Sequence, residues 1–161
     1  IEVVDDDEDV RRMMLMVLPV HGFKARAHAG GHAYLKAERS SGPRVMLLDV
    51  RMPEMSGIEL QMRLKETGDD IPVIFMSGES DKNQIISAFT SGAIAFLLKP
   101  FAREKLLEAI NKGIVLDKQR AKNRLGLTRL QRNFNTLTLR EQELLFLMID
   151  INVIIIIRNI F

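Results

Sequence analysis

Short apolar runs alternate along the chain with stretches in which apolar residues recur at helical spacing. The apolar runs predict five strands, at residues 1–4, 23–29, 44–50, 71–77 and 93–101. Runs 44–50 and 71–77 are almost continuously apolar, as in the buried strands of a parallel sheet. The intervening stretches predict helices at 10–18, 32–39, 58–66 and 81–92, and a long one from 102 onward. This alternation predicts an α/β fold: a five-stranded, doubly wound parallel sheet with right-handed crossovers.

Several helix ends carry their own signals. We expect Pro19 to stop the first helix, because proline lacks the N–H that a helix interior requires. We expect Asp81 to be the N-cap of the fourth helix and Gly92 its C-cap. The acidic residues 7–9 are expected at the start of the first helix, where negative charge complements the helix dipole.

Polar and charged residues stand where four of the predicted strands end. Asp5 and Asp6 follow the first strand, and Asp49, Ser77 and Lys99 lie at the ends of three later ones. In an open α/β sheet the functional crevice lies at the carboxyl ends of the strands. The fold therefore predicts that three carboxylates, a hydroxyl and an amine converge in one cleft.

Three carboxylates in one cleft repel one another unless a cation neutralises them. Mg²⁺ suits such a site because it takes oxygen ligands and is commonly held by one or two carboxylates plus a phosphate. One carboxylate could then act as a nucleophile toward a phosphoryl group. Such transfer needs positioning and charge neutralisation, which a metal, a lysine and a hydroxyl donor supply.

Four motifs carry a resemblance to a known family. They are VVDD at 3–6, LLDVRMPEMSG at 47–57, VIFMSG at 73–78 and FLLKPF at 96–101. In their order and spacing, residues 1–116 resemble the receiver domain of a two-component response regulator. The resemblance implies a flavodoxin-like (βα)5 domain, not an enzyme beyond promoting its own aspartyl phosphorylation and dephosphorylation.

The resemblance also implies roles for the acidic cleft. Asp49 matches the phospho-acceptor. Asp5 and Asp6 match the acids that hold Mg²⁺ (or Mn²⁺), together with Asp49 and the backbone carbonyl of Arg51. Ser77 matches the switch hydroxyl that bonds to a phosphoryl oxygen.

Further matches lie in the last strand and the acceptor loop. Lys99 matches the lysine that pairs with the phosphoryl group, and the Lys99–Pro100 bond is implied to be cis. Phe96 stands at the family's aromatic switch position. Pro53 and Gly57 match the loop that shapes the acceptor site, and we expect Gly57 to use a positive φ where the loop enters its helix.

A second family also forms an aspartyl phosphate on an α/β sheet. Phosphatases of the haloacid dehalogenase type use an Asp-x-Asp pair after the first strand, and Asp5 and Asp7 have that spacing. That family expects Thr or Val two residues after the second Asp, where Asp9 stands here. It also leaves LLDVRMPEMSG unexplained, so the receiver is the preferred interpretation.

Composition favours an ordinary globular protein, with 47% hydrophobic and 27% charged residues among 161. Cysteine is absent, which rules out disulfides and cysteine-ligated metals. With neither a signal peptide nor an apolar run of about 20 residues, we expect a cytoplasmic protein without a membrane span. Residues 1–99 carry 12 basic and 15 acidic residues, whereas 100–161 carry 11 and 6. The basic rear part indicates nucleic acid or an acidic partner.

The rear part predicts a helical linker over 117–135, either a solvated basic helix or one paired with a partner, and then a second domain. Thr138 and Glu141 form a capping-box pattern ahead of an apolar-periodic helix. The segment LTLREQELLFLMID at 137–150 resembles the opening of a LuxR-type helix-turn-helix in NarL/FixJ regulators. Residues 136–161 would then be its N-terminal part. The tail INVIIIIRNIF lacks the turn and recognition helix of that family, so the DNA-binding residues stay unknown and the tail is expected to be truncated or wrongly assigned.

The motifs together predict a phosphorylation-controlled transcriptional regulator. The partners implied by the resemblance are a sensor histidine kinase, a second copy of the chain after phosphorylation, and promoter DNA bound by the full-length output domain. The alternative is a receiver that acts only by protein–protein contact. Arg51 and Glu79 are candidates to tune the lifetime of the phosphoryl group.

Overall fold

The computed structural model describes residues 1–78 and 82–148 of the chain. Strands and helices alternate, as the apolar pattern predicted. The strands are β1 Glu2–Val4, β2 Arg26–His28, β3 Met46–Asp49, β4 Val73–Ser77 and β5 Ala95–Leu98. The helices are α1 Glu8–Val20, α2 Gly31–Lys36, α3 Gly57–Glu66, α4 Lys82–Thr90 and α5 Arg103–Asn135. A further helix, α6, occupies 139–148.

The five strands form one parallel sheet in the order β2-β1-β3-β4-β5. The chain runs outward from β1 to β2, then crosses back and continues on the other side of β1. The strand order therefore reverses between β1 and β3, and a crevice opens at their carboxyl ends. This confirms the predicted fold class and singles out one place for a site.

Two apolar layers hold the sheet because successive strand residues point to opposite faces. One layer packs strand residues against α3 and α4, with Met46, Leu48, Phe75, Leu60, Leu64 and Ala88 among its buried members. The other packs them against α1 and α5, with Leu47, Ile74, Met76, Met14, Leu18, Leu106 and Ile110. The buried strands β3 and β4 contribute to both layers, which explains their continuous apolar sequence.

The first helix extends past the proline that was expected to end it. Pro19 lies inside the last turn of α1, which ends at Val20. Gly22 ends the helix instead: it has a φ of 81°, its N–H donates to Pro19, and Phe23 donates to Leu18. A proline in the final turn forfeits one intrahelical hydrogen bond, and the left-handed glycine then closes the helix. The prediction that Pro19 stops α1 was wrong by two residues.

Most other elements lie where the apolar pattern predicted them, but the two edge strands of the sheet are shorter than predicted. Strand β2 pairs over three residues because β1 offers only three partners. Strand β5 similarly pairs only over Ala95–Leu98. Gly92 follows α4 with a φ of 86°, which confirms the predicted C-cap. The predicted N-cap Asp81 lies outside the described residues.

The chain divides into two compact units, Ile1–Gln119 and the part from Arg120 onward. In the first unit, α5 buries Leu106, Ile110 and Asp117. In the second, the predicted capping box is present: Glu141 donates its N–H to the Thr138 hydroxyl, and the Glu141 carboxylate accepts from Thr138. None of the helices within 1–78 and 82–148 is long and apolar enough to cross a bilayer.

Candidate functional site

The crevice between β1 and β3 holds two buried carboxylates. Asp5 directly follows β1 and Asp49 ends β3, and the preceding residues Val4 and Leu48 are register partners. Asp5 is 1% exposed and Asp49 is 8% exposed. Strand order thus brings together two acids that lie 44 residues apart in the chain.

Lys99 connects the two carboxylates. Its Nζ lies 2.8 Å from Asp5 Oδ2 and 2.8 Å from Asp49 Oδ1. The backbone N–H of Lys99 donates to the Ser77 carbonyl at 2.8 Å, which anchors the end of β5 to the end of β4. The Lys99–Pro100 peptide bond is cis, as the resemblance implied.

Each carboxylate uses its second oxygen to order the turn that follows it. Asp5 Oδ1 accepts the N–H of Asp7 at 3.0 Å, and Asp49 Oδ2 accepts the N–H of Arg51 at 2.7 Å. Both acids are therefore fixed by a backbone donor on one side and share one ammonium on the other. Two carboxylates facing one lysine leave the site with more negative than positive charge.

Burial shifts the titration of these groups. Burial raises the pKa of the Asp5 carboxyl, and the hydrogen bonds from Lys99 and Asp7 oppose this only in part. Burial lowers the pKa of Lys99, but its hydrogen bonds to Asp49 and Asp5 outweigh it and place that pKa above the ordinary value. Lys99 is therefore charged at neutral pH and holds the two acids together.

The third predicted acid stands apart from this pair. Asp6 is exposed, and its backbone carbonyl, like that of Asp5, accepts from Arg11 Nη1, at 2.8 and 2.9 Å respectively. Throughout the two described ranges, no three His, Cys, Asp or Glu side chains gather closely enough to hold a metal ion. The oxygens of Asp5 and Asp49 nevertheless suit a hard cation, since they are buried, converge on one point and already face a positive charge.

The loop after β3 is held tightly against the end of that strand. The N–H of Gly57 donates to the Val50 carbonyl at 3.0 Å, and a Cβ at position 57 would lie 2.1 Å from the Asp49 carbonyl oxygen. Glycine is needed here for this close approach. The expected positive φ at Gly57 was wrong; Glu54 has it instead, at 65°, with Met55 N–H donating to the Pro53 carbonyl at 2.7 Å. Pro53 itself is exposed at the outer turn of the loop.

Two further predicted residues border the site. Ser77 ends β4 and is 2% exposed. Phe96 on β5 is half-buried, and its ring centroid lies 6.2 Å from that of Phe75 in the core. A cleft of about 460 Å³ adjoins Lys99 and opens between α1 and the end of β5, lined by Val10, Met13, Met14, Lys99, Pro100 and Phe101.

Two supporting features escaped the sequence reasoning. Arg11 fixes both carbonyls of the acidic turn, and its only sequence signal is a basic residue one helical turn after the acids. Ser56 and Glu59 form a capping box that starts α3 directly after the loop that follows β3. Their Ser-x-x-Glu spacing was readable in the sequence.

Comparison with known proteins identifies the family of this domain. The family model of the response regulator receiver domain matches residues 1–111. The chain belongs to the response regulator receiver family. Such receivers are signalling modules of two-component systems and not classical enzymes.

The chain has relatives among response regulators and transcriptional regulatory proteins. It is 36% identical over 145 residues to the response regulator protein TodT of Pseudomonas putida, covering 90% of this chain and 64% of TodT. It is 34% identical over 112 residues to the transcriptional regulatory protein FixJ of Rhizobium meliloti, covering 70% of this chain and 55% of FixJ. The chain therefore spans less than two thirds of either relative.

Solved structures show the same fold. The response regulator StyR matches with a TM-score of 0.82 and 38% identity, covering 92% of this chain and 75% of StyR. The FixJ-N structure matches with a TM-score of 0.62 and 33% identity, covering 70% of this chain and 90% of that one. The StyR match extends beyond the receiver into the rear part of the chain.

Proposed function

We propose that the chain accepts a phosphoryl group on Asp49 from the phosphohistidine of a sensor histidine kinase. The observation that carries this proposal is the shared contact of Lys99 with Asp5 and Asp49 at the reversal of strand order. An Asp49 oxygen attacks phosphorus while the phosphorus–nitrogen bond of the donor breaks, and its electron pair stays on the leaving imidazole. The apolar cleft beside Lys99 gives a partner protein a surface next to the acceptor.

A magnesium or manganese ion would complete the site. Asp5 and Asp49 would hold it, with Asp6 and the Arg51 carbonyl as further oxygen donors. When bound, such an ion neutralises charge on the transferring phosphoryl group. Lys99 already bridges the two carboxylates, and it would pair with a phosphoryl oxygen when the acceptor becomes an acyl phosphate.

Phosphorylation adds about 1.5 to 2 negative charges. Ser77 and Lys99 would bind the new oxygens, which gives the two states different contacts and so allows a switch between them. Phe96, half-buried next to Phe75, would transmit the change to the surface formed by α4, β5 and α5. That surface would support a homodimer of the phosphorylated chain.

The output would be transcriptional regulation. We divide the protein into a receiver at 1–116, a helical linker at 117–135, and the opening of a LuxR-type helix-turn-helix domain from 136. The name of FixJ, a transcriptional regulatory protein, supports a transcriptional output, and the capping box at Thr138 supports a helix that starts there. Promoter DNA would be bound by the output domain of the full-length protein. The tail 151–161 lies outside the described residues.

Labelling with acetyl phosphate and Mg²⁺, followed by mapping of the modified residue, tests the acceptor. Asp49→Asn should abolish the label without unfolding the protein, because the amide keeps the carboxylate's shape. Asp9→Asn, which removes an exposed acid, should label as the wild type does. A label on Asp5, or one that persists in Asp49→Asn, would remove the proposal and favour the dehalogenase-type alternative.

A receiver that acts only through protein–protein contact is the second candidate for the output. Its support is the exposed apolar pair Ile86 and Phe89 on α4, at 62% and 50% exposure. A gel shift of the full-length protein at low salt, with and without acetyl phosphate, separates the two candidates. Absence of any DNA affinity in both conditions would favour the contact-only receiver.

A further inference from the structure

The second unit begins with a helical segment of one charge sign. Residues 120–140 contain six Lys or Arg and no Asp or Glu. Solvated surface helices usually mix the two signs, since pairs at i and i+4 stabilise them. Here the segment itself contains no acidic residue to offset the repulsion between neighbouring cations, which indicates a surface suited to an external anion.

Three of these cations share one face of α5. At about 100° per residue, Lys122, Arg129 and Arg132 lie within about 80° of one another around the helix. They span eleven residues, or about 15 Å along the axis. All three are exposed, and none of them forms an ion pair with any residue of the described ranges. We call these three residues the basic face.

An apolar face lies on the other side of the same helix. Leu127, Leu130 and Phe134 lie about 150° around the helix from the basic face. Phe134 stacks edge-on against Phe146 of α6 at a centroid distance of 5.5 Å, and Gln142 of α6 donates to the Phe134 carbonyl at 3.1 Å. Helix α6 therefore packs at the end of the apolar face, and the basic face points elsewhere.

This arrangement disfavours two other binding partners for the helix, a second copy of the chain and a membrane surface. A coiled coil with a second copy around Leu125, which lies within the basic face, would set the cations of both helices against each other. A membrane-surface helix needs its apolar side free for lipid, but Phe134 on that side is engaged by Phe146. An extended polyanion meets neither obstacle.

We propose that the basic face binds the phosphate backbone of duplex DNA without reading its sequence. Duplex DNA carries one negative charge per about 1.7 Å of its axis, so a 15 Å row of three cations can neutralise several phosphates. This inference extends the proposed DNA-binding function and rests on it. The contact would hold the linker on DNA while other helices read bases.

The test uses the whole 161-residue chain and a fluorescent duplex of arbitrary sequence. Binding is followed by anisotropy across a range of salt concentrations. The triple variant Lys122→Gln, Arg129→Gln, Arg132→Gln should bind more than about tenfold more weakly at low salt and reduce the slope of log K against log salt by about 2.7. Glutamine is a good helix former, so circular dichroism should show unchanged helicity.

A matched control removes three exposed lysines from the first unit: Lys65→Gln, Lys105→Gln, Lys112→Gln. It should keep the wild-type salt slope. The proposal would be overturned if both triple variants lost DNA affinity equally. It would also be overturned if the Lys122, Arg129, Arg132 triple variant kept the wild-type salt slope. A different outcome would favour a membrane as the binding partner: the wild type binds phosphatidylserine vesicles but not DNA, and the Lys122, Arg129, Arg132 triple variant does not bind the vesicles. That outcome would also overturn the proposal. Failure of the proposed sequence-specific output would instead appear as absent promoter preference in the full-length protein, with the salt slope intact.

Discussion

The backbone carbonyl oxygen of Asp49 lies 2.1 Å from the position that a Cβ on Gly57 would occupy. Real Cβ atoms do not approach a backbone oxygen so closely, so any side chain at 57 must displace the loop or the end of β3. The same loop contains Glu54 with a φ of 65°, a costly conformation for a residue with a side chain. Asp49 is therefore placed by backbone packing as well as by its contact with Lys99.

Gly57→Ala should directly disturb the position of Asp49, the proposed phospho-acceptor. The methyl group would push the Asp49 carbonyl away, lower the free energy of unfolding by about 1–3 kcal/mol, as overpacking typically does, and slow labelling by acetyl phosphate. Gly126→Ala is the control, because nothing lies within 4 Å of its Cβ position. It should leave labelling unchanged. Wild-type labelling of Gly57→Ala would show that the close approach does not position the acceptor.

Lys99→Met should leave Asp5 and Asp49 facing each other without a cation. We expect the free energy of unfolding at pH 7 to fall by about 1–3 kcal/mol, because two buried acids lose their charged partner. Millimolar Mg²⁺ should restore more stability to this variant than it adds to the wild type, since the competing ammonium is gone. Urea denaturation with and without Mg²⁺ measures both effects, with Lys112→Met as the control. Equal stabilisation of all three proteins by Mg²⁺ would contradict a metal site at these acids.

Acid should destabilise the protein in part through Glu2. Burial raises the pKa of Glu2, but hydrogen bonds with His28 at 2.8 Å and from Ser40, together with Arg26, outweigh it and lower the pKa to about 2. A depressed carboxyl pKa contributes stability above its unfolded value of about 4.3, and this contribution is lost as the pH falls toward 2.

Urea denaturation between pH 6 and pH 2 checks this expectation. The wild type should lose stability more steeply below about pH 4.3 than Glu2→Gln, which has no carboxyl group to protonate. Glu66→Gln, which alters an exposed acid, should follow the wild type. Parallel curves for the wild type and Glu2→Gln would show that the Glu2 contact does not depend on ionisation.

Asp117 should stabilise the receiver although it lies beyond the family match. Its Oδ2 accepts the backbone N–H of Arg44 at 2.9 Å just ahead of β3, and the residue is 4% exposed. Asp117→Ala leaves that N–H without a partner, which should cost about 1–3 kcal/mol of unfolding free energy. Asp117→Asn keeps an acceptor oxygen and should cost less. Similar losses in both variants would mean that the charge of Asp117 matters more than its hydrogen bond.

Much of the fold could be predicted because it follows from periodicity and chain order. Alternating apolar runs and helical stretches specify a parallel sheet, and chain direction then places Asp5, Asp49, Ser77 and Lys99 at one edge of it. Local signals were equally readable, as at Gly92 after α4 and at the capping box of Thr138. The end of α1 was predicted wrongly from Pro19, because a proline in the last turn costs only one hydrogen bond. The glycine three residues later decides where the helix ends.

What the sequence determined by itself is which strand ends form the crevice, since strand direction and period depend only on neighbouring residues. Only the tertiary structure decided how they meet: that Lys99 bridges Asp5 and Asp49 while Asp6 faces solvent, and that Gly57 is required for a close approach. The physical reason is that side-chain distances between strands are set by packing across the sheet. Residues far apart in the chain are brought within 3 Å of one another by contacts that no local pattern encodes.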